Sequence, residues 1–65
     1  MNTVKMNYKS GGSTVIRNVI SELSANNAHY VLVLNTDCGI ATTYKIVDGY
    51  FVGERNSQST YILPW

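Results

Sequence analysis

The sequence predicts an α+β fold: a single helix packed on one face of a mainly antiparallel four- to five-stranded sheet, in the order β-α-β-β-β(-β). Three observations lead there. Residues 3–8 alternate apolar and polar side chains; residues 14–25 gather apolar side chains at helical spacing; the rest is a series of strand-like runs broken by turn residues, sharpest at Asp48-Gly49.

In "TVKMNY", Val4, Met6 and Tyr8 point one way and Thr3, Lys5 and Asn7 the other, the pattern of a strand with one buried face. After "KSGGS" the period changes. Val15, Ile16, Val19, Ile20 and Leu23 fall on one face of a helix, with Arg17, Asn18, Ser21, Glu22 and Ser24 opposite. Ser13 or Thr14 can cap its start, and Asn26 and Asn27 tolerate the left-handed conformation that ends many helices. "HYVLVLN" is nearly unbroken apolar sequence and reads as a central strand covered on both faces. "NTDCG" turns the chain into a further strand, "IATTYKIV".

Asp48-Gly49 is then a two-residue type I′ hairpin turn, because both of its positions need positive φ. It sets Val47 opposite Tyr50, Ile46 opposite Phe51, Lys45 opposite Val52 and Tyr44 opposite Gly53. A reversal near "RNSQS" returns "TYILPW" as a last strand, which Pro64 stops. Ile62 would join Phe51 and Ile46 on one face; Tyr61 and Leu63 would join Val52 and Tyr50 on the other.

Sixty-five residues form one domain, which buries only about 60% of the surface of its unfolded chain. Domains this small lean on a disulfide, a metal or a second subunit. Cys38 is the single cysteine, and one Cys with one His leaves a structural zinc short of its usual ligands. No metal and no cofactor are expected, which leaves association. One helix covers one sheet face. The other would present Val47, Tyr50, Val52, Tyr61, Leu63 and Trp65, the candidate interface for a homodimer or larger assembly and for an unidentified protein partner.

A net charge of +1 gives little field to draw in nucleic acid or an anionic membrane. "GYFVG" faintly echoes a base-stacking sheet motif, but Asp48 stands where that motif has a basic residue. Weak single-strand binding therefore ranks last among the functions considered. No apolar run is long enough for a transmembrane helix, the first residues carry no apolar signal segment, and a lone cysteine suits a reducing interior. A cytoplasmic location is expected.

Lys9, Ser10, Gly11, Gly12, Ser13 and Arg17 form the candidate ligand site. A strand, two glycines and a helix start would aim backbone amides at a small anion or nucleotide. Neither the P-loop nor the dinucleotide-binding pattern is present, and the same residues also serve as a plain turn with a helix cap. Catalysis finds less support. His29 and Cys38 stand at opposite ends of a strand, about 20 Å apart, where a nucleophile and its base need about 3 Å. Glu22, Asp37, Asp48 and Glu54 are not placed as an acid–base pair. The expectation is a non-enzymatic protein acting by stoichiometric contact, an inhibitor, regulator or adaptor of the kind that viral and mobile elements often encode. An oligomer binding a small anion at Gly11-Gly12 is the runner-up.

Overall fold

A computed structural model describes residues 2–62, 64 and 65, and among them there is no helix. Five strands follow in a meander: β1 (Asn2–Asn7), β2 (Ser13–Ala25), β3 (Ala28–Asn35), β4 (Ile40–Val47) and β5 (Tyr50–Ser57). Each pairs antiparallel with the next, and β5 meets β1 to close a barrel. With an odd number of strands the first and last run the same way, so the closing pair is parallel. It is confined to Asn7 opposite Tyr50. The Asn7 backbone N–H and its side-chain amide both donate to the Gly49 carbonyl, at 3.0 and 3.2 Å, and fasten this seam.

The α+β expectation is thus corrected to all-β, because residues 14–25 form β2 and not a helix. Thr14, Val15, Ile16, Val19 and Ile20 are β-branched; such side chains lose rotamer freedom in a helix and fit a pleated surface. The helical spacing has a local cause. Asn2 opposes Val19 and Val4 opposes Ile16, so β2 spends three residues where β1 spends two. Asn18 takes φ 60° within that bulge. The extra residue turns both Ile16 and Val19 inward, three positions apart as a helix would place them. Val15 and Ile20, the neighbours that completed the supposed stripe, are each 49% exposed. Asn26 and Asn27 do adopt left-handed φ values of 54° and 62°, but as the turn of the β2–β3 hairpin between the paired Ala25 and Ala28.

Asp48 (φ 53°) and Gly49 (φ 83°) make the expected tight turn, with Val47 opposite Tyr50 and Ile46 opposite Phe51. Beyond it the register departs from expectation: Lys45 opposes Gly53 and Tyr44 opposes Glu54, because Val52 is an extra residue on β5. The expected last strand does not form. Residues 58–62, 64 and 65 hold no strand and cross the outside of the barrel as a strap; Leu63 lies outside the described residues.

The barrel interior is filled by Met6, Ile16, Val19, Val31 and Ile46, with Val4, Val33, Tyr44 and Phe51 packed against them. On β3 the residues of opposite parity, Tyr30 and Leu32, are also fully buried. The strand is covered on both faces, as its unbroken apolar sequence predicts, and on the outer face the cover at Tyr30 is Trp65.

Candidate functional site: the outer face of β3–β5 and its strap

Tyr30, Lys45 and Gly53 are direct cross-strand neighbours on β3, β4 and β5. Trp65 lies on this row. Its ring is 6.2 Å from that of Tyr30, centroid to centroid. The Tyr30 hydroxyl donates to the Trp65 backbone oxygen at 2.6 Å and accepts from the Trp65 backbone N–H at 3.1 Å, so one buried side chain fixes the strap's main chain. Gly53 supplies the seat. A Cβ there would stand 3.2 Å from the Trp65 ring, and glycine within a strand often marks such a close approach.

Two cations flank the indole. Lys45 Nζ is 5.3 Å and the Arg55 guanidinium 5.8 Å from its ring, within cation–π range. Neither forms an ion pair with Glu54; the one acid–base contact among the described residues is His29–Glu22. Glu54 lies by Tyr44, whose hydroxyl is pushed above its ordinary pKa by burial first and by the nearby Glu54 and Tyr8 second.

Between β5 and the strap a cleft of about 120 Å³ is lined by Thr43, Arg55, Asn56, Ser59, Tyr61 and Trp65 among others, and none of its described lining side chains is a carboxylate. The Trp65 indole Nε1 is buried and meets no acceptor among the described residues. Buried polar groups in native proteins are nearly always satisfied, so such an orphan needs a reason.

The described candidate interface residues are brought onto this side. Val47 is half-buried opposite Tyr50, and Trp65 is half-buried at the centre. Tyr50 is 41% exposed, Val52 49% and Tyr61 78%. Tyr50 and Val52 stand at the start of β5, with Tyr61 near its far end beside the cleft. Among the described residues no strand pairs with the side of β5 that faces β1 from Phe51 to Ser57.

The candidate anion residues fare differently. Lys9, Ser10, Gly11 and Gly12 form the exposed tip of the β1–β2 hairpin, Ser13 opens β2, and Arg17 lies further along it. The Gly11 N–H donates to the Tyr8 carbonyl at 3.0 Å, and Tyr8 N–H to the Gly12 carbonyl at 3.1 Å. Gly11 and Gly12, at φ 108° and 86°, serve that turn. The helix start whose amides and dipole would have drawn an anion is absent.

The sequence reading missed one polar constellation. Ser24 Oγ is 3.1 Å from His29 Nδ1, and His29 Nε2 is 2.8 Å from Glu22 Oε1. Ser24 and His29 are directly opposed across β2 and β3, which is invisible while Ser24 and Glu22 sit on a helix. A cleft of about 430 Å³ beside them runs between the β2–β3 and β4–β5 turns. The hydroxyl–imidazole–carboxylate order is the one hydrolases use. Acyl transfer also calls for a site shielded from water, whereas the His29 and Glu22 side chains are 37% and 40% exposed. The cluster is a cross-strand polar ladder. Cys38 is exposed in the β3–β4 turn, where Asp37 N–H donates to Asn35 Oδ1 at 3.0 Å.

Comparison with protein-family models, with curated proteins and with solved structures finds no match. Among the described residues no helix is long and apolar enough to cross a membrane.

Proposed function

We propose that the protein is a small binding module that acts by stoichiometric protein–protein contact through β5 and the strap, and that a second copy of the chain can occupy the same face. One observation carries this reading: the unpaired edge of β5 adjoins the exposed Tyr50 and Val52. An open strand edge offers main-chain donors and acceptors to an incoming strand, and apolar side chains beside it supply the affinity. Burying one such side chain is worth about 1.5–3 kcal/mol. That is a large share of the roughly 3–10 kcal/mol expected for 65 residues. A regulator or inhibitor that works by occupancy fits this arrangement, since it needs a surface and no reacting groups.

Light scattering at micromolar concentration tests it. The wild-type chain is expected to show a mass above that of the 7.2 kDa monomer. Val52→Asp, which puts a charge at the β5 bulge, should return the mass to the monomer with little loss of fold. A wild-type chain that stays monomeric and cooperatively folded removes the self-association half of the reading.

A further inference from the structure

We propose that the cleft between β5 and the strap is a carboxylate site, filled in the complex by an acidic side chain of the bound partner; this rests on the partner face just described and names its chemistry. Two features converge. The first is Arg55, which lines the cleft and has no ion-pair partner among the described residues. Its planar fork of donors matches a carboxylate in two parallel hydrogen bonds. The second is the lining, in which no described side chain carries a negative charge to compete.

Among the described residues the local hydrogen bonding leaves a further donor free. Ser59 Oγ accepts from the Tyr61 N–H at 3.1 Å, so its own proton is available to a guest. Ser57 Oγ is already committed, donating to the Ser59 carbonyl at 3.2 Å. A cleft of about 120 Å³ has room for more than one water, or for one carboxylate with the carbons that carry it. Lys45, 5.3 Å from the indole ring, adds positive potential without entering the cleft lining. A carboxylate would meet Arg55 and the Ser59 hydroxyl, and Tyr61 would lie against its apolar stem.

Trp65 is the only tryptophan, so its emission reports the cleft without a label. Acetate, inorganic phosphate and chloride are titrated at constant ionic strength into wild type, Arg55→Gln, Arg55→Lys and Ser59→Ala. Acetate is expected to give a saturable change in wild type, about tenfold weaker or more in Arg55→Gln, with an intermediate loss in Ser59→Ala. Arg55→Lys keeps the charge but not the fork and should also bind more weakly, while thermal melts confirm that each variant is folded. A saturable response to phosphate with none to acetate overturns the carboxylate assignment. No saturable response to either anion, or one unchanged in both Arg55 variants, overturns the site. Free acetate needs no partner, so failure here leaves the β5 reading to be decided by light scattering alone.

Discussion

Gly49→Val is expected to lower the melting temperature by about 5–15 °C, the larger of the turn effects available in this chain. Gly49 holds φ 83° as the second central residue of the β4–β5 turn, after Asp48 at φ 53°. L-residues there cost about 1–2 kcal/mol, and β-branched ones more. A domain of this size shifts by about 4–8 °C for each kcal/mol. Crowding contributes little, because a Cβ at Gly49 would meet only the Asn7 side-chain amide at 3.7 Å, an ordinary contact. The effect reaches beyond the turn. The Gly49 carbonyl accepts both Asn7 donors that close the barrel, so a strained turn loosens the β1–β5 seam as well. Gly49→Asn, which tolerates left-handed φ, should cost much less. Equal melting temperatures for wild type and Gly49→Val would mean that neither the turn nor the seam is as described.

Tyr30 should be the more damaging position when truncated. It is fully buried, and its hydroxyl holds both the N–H and the carbonyl oxygen of Trp65. Tyr30→Ala removes a large buried ring at a cost of about 3–5 kcal/mol. That approaches the whole stability expected of the domain, so this variant should fail to fold. Tyr30→Phe is the informative change. It keeps the ring and deletes only the hydroxyl, for about 1–3 kcal/mol, and the freed Trp65 backbone groups regain hydrogen bonds only by lifting into water. The expected result is a folded barrel with a lower melting temperature and a red-shifted Trp65 emission. Unchanged emission in Tyr30→Phe would show that the strap is held by something else.

Four of the five strands were legible because their signals are local. β1 alternates, β3 is a continuous apolar run, and β4 and β5 flank an Asp-Gly pair that has few other uses. β2 was not legible, for a reason specific to it. Its bulge at Asn18 shifts the inward face by one residue, and a strand so shifted imitates a helical period over the short stretch from Ile16 to Val19. The countersigns were the β-branched content and Asn26-Asn27, which can turn a hairpin as readily as it can end a helix.

The strap was misread for a different reason. "TYILPW" has strand-like composition, and only the third dimension shows Gly53 as the empty place into which Trp65 fits. Tyr50, Val52, Tyr61 and Trp65 were identifiable from the sequence because an uncovered sheet face needs a cover. That Trp65 is part of the cover, while the other three remain exposed around it, depends on the cross-strand row Tyr30–Lys45–Gly53. The Ser24–His29–Glu22 ladder and the Arg55 cleft follow from pairings that a wrong second element conceals.

Proton NMR of the wild-type chain tests the position of the strap most directly. Nuclear Overhauser effects are predicted from the Trp65 indole ring to the Gly53 α-protons and to the Lys45 side chain, neighbours in space that are distant in sequence. A Trp65 ring that shows effects only to its own backbone and sequence neighbours would contradict the account.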